Sequence, residues 1–230
     1  MRLTKLEARP LKIDQVRGKA FENLMVSVLN HLGYADFLIN IHPVGTELDI
    51  EATHKTNRTK ILCECKAEKK PIPPIDVKKF HSDLANEIDK KYVDKGYFFS
   101  ISGFTSNTDR WYKESGKNIK RTMTLKGTQE IVELLRDSSL LSSDEDLDRI
   151  VQNNTSYQLG ERRIDVFQSD VFIIQYLRLG GETTSYMILK GSGNIVPVSV
   201  MEQISKLDKD LENYSRLNPV ITGLSNIEPS

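Results

Sequence analysis

The 230-residue chain contains two cysteines, one tryptophan, four histidines and no net charge. Cys63 and Cys65 stand one residue apart and build no disulfide framework. The longest apolar stretch, Val171 to Leu177, is interrupted by Gln175. No run approaches the roughly 20 apolar residues that a membrane-spanning helix needs. Met1 to Lys12 carries a charge every few positions and no signal-peptide core. Gly116-Lys117 is not a phosphate-binding loop, because Trp111 stands where its first glycine belongs. No nucleotide cofactor is expected. Hydrophobic residues make up 38% and charged residues 28%, which excludes a disordered chain. The expectation is a soluble, cytoplasmic, reduced protein with one large domain and a smaller one.

The neutral total conceals a division. Residues 1–130 carry 23 Lys+Arg against 17 Asp+Glu, leaving the last hundred residues with the opposite surplus. The first part suits a polyanion and the second does not.

Val16, Ala20, Phe21, Leu24, Met25, Val28, Leu29 and Leu32 recur at helical spacing after Asp14, and Gly33 follows as a stop. FLINIH, VGTELDIEA and TKILCECKA read as strands. A helix is expected from Ile75 to Lys91, then a strand YFFSI, then a helix capped by Thr105 or Ser106 and carrying Trp111. NIKRTMTL reads as another strand and Thr128 to Arg136 as another helix. The order is αβββαβαβα. An acidic, Ser-rich stretch follows, then a hairpin VFIIQYLRL and ETTSYMILK turned at Gly180-Gly181, then a helix from Pro197 to Leu211.

Strand alternation supplies the candidate chemistry. Glu47, Asp49 and Glu51 share one face of their strand, and Glu64 and Lys66 share a face of the next with Leu62. A short turn joins the two strands, so they should pair. Two carboxylates can hold Mg²⁺, which prefers oxygen ligands and keeps several waters. A neighbouring lysine offsets charge on a phosphoryl transition state. Of four acid-x-Lys triplets, only Glu64-Cys65-Lys66 lies in an apolar strand beside a strand with a facing acid. A solvated Glu/Lys pair on an edge strand explains the same triplet without chemistry. A zinc site from Cys63, Cys65, His42 and His54 is disfavoured, because the thiols fall on the opposite strand face and the histidines lack ligand spacing. A helix N-terminus at Thr105 suits a phosphate, but a plain cap is the simpler reading.

GKAFENLMVSVLNHLGY, GTELDI, ILCECKA and GYFFSISGFT occur in that order. Together they resemble the Mrr-like branch of the PD-(D/E)xK restriction-endonuclease superfamily over roughly residues 14–137. The resemblance implies an α/β restriction-endonuclease-like αβββαβ core with a mixed sheet, followed here by a small α+β module. It implies Asp49 and Glu64 as metal ligands, Lys66 as the catalytic lysine and Glu22 as a supporting acid from the first helix. Many Mrr-like sequences carry Gln-x-Lys where this chain has Glu64-Cys65-Lys66, the commoner superfamily form. Glu47 falls where glycine-rich sequence is usual; it shares the face of Asp49 and is either a further ligand or, as the simpler reading, a surface acid.

The implied activity is a Mg²⁺-dependent DNA endonuclease, with Mn²⁺ a substitute, in restriction or antiviral defence. The order also suits the N-terminal effector head of an antiviral STAND NTPase. Lys69, Lys70, Lys78 and Lys79 follow the catalytic strand and suit phosphate contacts to double-stranded DNA, or a solvated surface. A double-strand break calls for self-association or a larger assembly. The alternative is a catalytically idle nucleic-acid-binding or protein-interaction module on the same fold. The expected division is 1–137 nuclease domain, 138–154 acidic connector, 155–214 accessory module and 215–230 linker-like tail.

Overall fold

The computed structural model describes residues 4–8, 14–41, 48–167, 170–208, 211 and 213–216. The chain opens with β1 (Thr4–Ala8), which joins a sheet made otherwise from C-terminal residues. Lys12–Ser138 then forms one compact unit, and residues 1–11 with 139–230 form the other.

The first unit runs α1 (Asp14–His31), β2 (Tyr34–Ile41), β3 (Leu48–His54), β4 (Lys60–Lys66), α2 (Pro74–Asp89), β5 (Lys95–Ser100), α3 (Ser106–Glu114), α4 (Lys117–Thr122), β6 (Met123–Lys126) and α5 (Thr128–Asp137). Its sheet order is β2-β3-β4-β5-β6. β2, β3 and β4 are antiparallel, while β4, β5 and β6 are parallel. This is the mixed sheet and αβββαβ order expected from the sequence.

Register explains which helices cover which face. Glu64 pairs with Phe98 and Gly96 with Met123, so these side chains and Leu62 share a face. That face packs on Val77, Phe80 and Leu84 of α2, with Trp111, Tyr112 and Ile119 of α3 and α4 at its margin. Phe80 meets Phe98 edge to face at 5.6 Å. A Cβ at Gly96 would lie 2.7 Å from Leu84 and 2.9 Å from Phe80, so the bare backbone lets α2 settle onto the sheet. Ile50, Cys63, Cys65 and Phe99 point to the other face and are also buried. α1 packs against β2, β3 and β4 with Phe21, Leu24, Met25 and Val28 fully buried.

Two local differences from the sequence reading have physical reasons. Asn118–Thr122 is helix, because Lys117–Thr122 has no period-two alternation and Thr122 Oγ1 bonds back to the Asn118 carbonyl at 2.9 Å. The strand is confined to Met123–Lys126. Thr105 is a plain cap, its hydroxyl accepting from the Thr108 N–H.

The second unit adds α6 (Asp144–Asn154), β7 (Gln158–Phe167), β8 (Asp170–Leu179), β9 (Glu182–Lys190), α7 (Val198–Leu207) and β10 (Ser215–Arg216). The β8–β9 hairpin turns at Gly180 and Gly181, both at positive φ as such a turn requires. It is part of a five-stranded sheet, β1-β7-β8-β9-β10, in which β1 and β10 join parallel to their neighbours. Residues 1–11 thus belong with the C-terminal residues, and the first unit is inserted after β1. The acidic stretch contributes α6 to this unit.

β7 escapes a hydrophobicity reading because it carries Arg162, Arg163 and Asp165 inside the protein. Arg162 donates to Gln175 at 3.0 Å, Asp144 at 2.8 Å and Asp148 at 2.5 Å. Arg163 is held by Asp165, Asp208 and the Tyr176 hydroxyl. Removing one partner of such a buried pair commonly costs about 3–5 kcal/mol, because a charge is left without compensation.

Gly191 supplies a test of the packing. Its N–H donates to the Val171 carbonyl at 2.7 Å and its carbonyl accepts from Ser142 at 2.8 Å. A Cβ there would run into the Leu140 carbonyl oxygen and lie 2.9 Å from Val171 Cβ. Gly191→Ala is expected to destabilise the protein by about 1–3 kcal/mol. Urea unfolding of the two proteins side by side checks this, and equal midpoints would contradict it.

Candidate active site

β3 and β4 are joined by a turn at residues 55–59 and pair antiparallel, with Ile50 opposite Cys63 and Glu51 opposite Leu62. Asp49 and Glu64 are the next residues along from the Ile50–Cys63 rung. Asp49 Oδ2 accepts a 2.6 Å hydrogen bond from the Cys65 N–H, which fixes its carboxylate against β4. Lys66 Nζ stands 2.5 Å from Glu64 Oε1. The three side chains singled out from the sequence therefore meet at one end of the β3–β4 pair, inside the sheet.

Their electrostatics follow from burial and crowding. Burial, then the neighbouring Glu64 charge, raise the Asp49 carboxyl to about 7, against the opposing pull of the Cys65 N–H and Lys66. Glu22 on α1 adds to that rise. Glu64 is also raised by burial, with Lys66 and Lys79 holding it back. Burial works to lower Lys66, but its pairing with Glu64 and the nearby Asp49 and Glu68 outweigh it, and the ammonium is held more firmly charged.

The other expected residues divide. Glu22 is half-buried, pairs with Lys19 at 3.0 Å and reaches Asp49 through its charge. Lys79 lies close enough to act on Glu64, and so does Asp83 one helical turn later. Asp83 was missed, although its spacing from Lys79 puts both on one side of α2. Lys69 and Lys70 are exposed in the loop after β4. Lys78 Nζ sits 5.6 Å from the centre of the Trp111 ring. Glu47 and His42 lie outside the described residues. Cys63 and Cys65 are buried packing residues whose thiols burial pushes up. His54 Nδ1 accepts from the N–H groups of Thr56 and Asn57, so it shapes the β3–β4 turn.

Among the described residues, no group of three or more His, Cys, Asp or Glu side chains could hold a metal ion. The pair Asp49 and Glu64 nonetheless fits Mg²⁺. Both offer hard oxygen, with Asp49 Oδ2 engaged by the Cys65 N–H and Glu64 Oε1 by Lys66, and Mg²⁺ retains waters in its remaining positions. Their mutual repulsion is what a cation between them would relieve.

The restriction endonuclease profile of the Mrr catalytic type matches residues 13–135, more than half of the chain. The chain belongs to this family. Membership makes the first unit a nuclease domain in general terms. A comparison with curated proteins finds no match. One solved structure, titled as the protein of unknown function AF1548, is 19% identical with a TM-score of 0.38. The match covers 58% of this chain and 77% of that one, a likeness too distant to bear on function. Among the described residues, no helix is long and apolar enough to cross a membrane.

The raised Asp49 carboxyl has a consequence for stability. Between about pH 4 and about 7 the folded protein keeps a proton there that the unfolded chain has lost. Stability of the metal-free protein should therefore fall as pH rises through that window and level off above it. Asp49→Asn keeps an acceptor for the Cys65 N–H and removes the titration. Thermal melts of both proteins from pH 4 to 8 should converge at the acid end and show the variant more stable at pH 8. An unchanged pH profile in the variant would contradict the assignment.

Proposed function

We propose that this chain is a Mg²⁺-dependent DNA endonuclease that hydrolyses phosphodiester bonds, with Mn²⁺ able to replace Mg²⁺. The supporting observation is the meeting of Asp49, Glu64 and Lys66 at one end of the β3–β4 pair. Asp49 and Glu64 would hold the ion. When bound, the ion supplies Lewis acidity and makes a nucleophile available near neutral pH. Lys66, kept charged by Glu64, places a positive group beside the reacting phosphate and offsets the charge that develops there. The Cys65 N–H fixes the Asp49 carboxylate, and Glu22 adds negative potential from α1. Lys69, Lys70, Lys78 and Lys79 would contact phosphates of double-stranded DNA. A setting in restriction or antiviral defence, including an effector head of a STAND NTPase, rests on the family resemblance alone.

Lys66→Ala and Asp49→Ala should each reduce nicking of supercoiled plasmid by on the order of 10²–10³ or more. Asp49→Ala should also weaken Mg²⁺ binding measured by calorimetry, whereas Lys66→Ala should largely spare it. Wild-type nicking rates in both variants would sink the reading.

One such centre cuts one strand, so a double-strand break requires two chains. Nicked circles should precede linear product, and linear product should rise faster than linearly with protein concentration. Gel separation of nicked and linear plasmid across a concentration series checks this. Linear product forming at once, in first-order proportion to protein, would point to a preformed pair.

A further inference from the structure

We propose that the exposed cations of α3 and α4 form a second phosphate-binding surface, which carries double-stranded DNA beyond the phosphate being cut. The proposal rests on the nuclease reading and extends it to a surface that the sequence did not single out. Arg110, Lys113, Lys117 and Arg121 are all exposed. Among the described residues, none of the four is in a salt bridge. In the same unit Lys19, Arg58, Lys60, Lys66 and Lys90 have acidic partners, while Lys69, Lys70, Lys78 and Lys79 of the loop after β4 and of α2 share with these four the lack of a salt bridge among the described residues. Asp109 and Glu114 lie in the same segment and leave these cations unpaired.

Position carries the argument further. Trp111, Tyr112 and Ile119 anchor α3 and α4 over the cluster containing Leu62 and Phe98. Phe98 is the register partner of Glu64. α3, whose charges balance, and the wholly basic α4 therefore cover the same sheet face that bears Glu64 and Lys66. Lys78 bridges α2 to α3 through the Trp111 ring. The α2 lysines and the α3–α4 cations thus belong to one side of the domain. Lys120 is not part of the set, because its Nζ donates at 2.6 Å to the Lys113 carbonyl near the end of α3. Unpaired, flexible cations without a ladder of fixed hydrogen-bond partners suit backbone phosphates, and they confer affinity without sequence preference.

The test uses the full chain with K117E/R121E and, as a milder pair, K117Q/R121Q. Circular dichroism melts first establish that both fold like the wild type. Binding of a 30-base-pair duplex is measured by fluorescence anisotropy without divalent metal, between about 50 and 200 mM salt. Each lost phosphate contact should lower the log–log salt slope by about one, so the slope should fall by about two. Affinity at the lower salt should weaken about tenfold or more in the reversed pair and less in the neutral pair, alike for unrelated duplexes. An unchanged slope and affinity in both variants would overturn the surface, even if wild-type nicking depends on Mg²⁺ and Lys66. Absent nicking in wild type would sink the nuclease reading, while the anisotropy arm still decides the surface by itself. A wild type that binds no duplex would overturn the surface outright.

Discussion

Two carboxylates are brought together where water is scarce, and much of the first unit is arranged around that cost. Asp49 is drawn toward β4 by the Cys65 N–H, and Glu64 is drawn to Lys66. Neither partner cancels the crowding, and both acids are shifted upward by burial. A site that disfavours its own negative charge favours a cation. The same imbalance makes the site costly to the empty fold and useful to phosphodiester chemistry.

Holding that site requires rigid surroundings. β4 runs through the middle of the sheet, antiparallel to β3 and parallel to β5, so neither Glu64 nor Lys66 sits on an edge. Leu62 and Phe98 beneath them are fully buried against α2. Gly96 lets α2 lie close, which brings Lys79 and Asp83 within electrostatic reach of Glu64. Packing and charge placement are here a single arrangement: a change that pushed α2 outward would move Lys79 and Asp83 away from Glu64.

The C-terminal unit shows the limit of patterning. Its hairpin was legible because VFIIQYLRL and ETTSYMILK are apolar and flank a Gly-Gly turn. β7 was not, because ERRID looks like surface and is interior. Arg162 and Arg163 are tolerated there because Gln175, Asp144, Asp148, Asp165 and Asp208 satisfy them, and all of these partners except Asp165 come from other elements. β1 was invisible for a related reason. Five residues with alternating charge carry little strand signal, and their pairing with β7 spans more than 150 positions.

The sequence by itself determined the element order of the first unit apart from α4 and the hairpin of the second, and the family resemblance of its motifs named the candidate triad. Period-two alternation fixes which residues share a strand face, and a short turn forces β3 and β4 to pair. Tertiary structure alone decided that Asp83 joins Lys79 near Glu64 and that α3 and α4 lie over the Glu64 face. It also decided that the first strand belongs to the second sheet. Periodicity orients a side chain relative to its own element. Which elements meet is set by the burial of apolar faces and the pairing of buried charges across the whole chain.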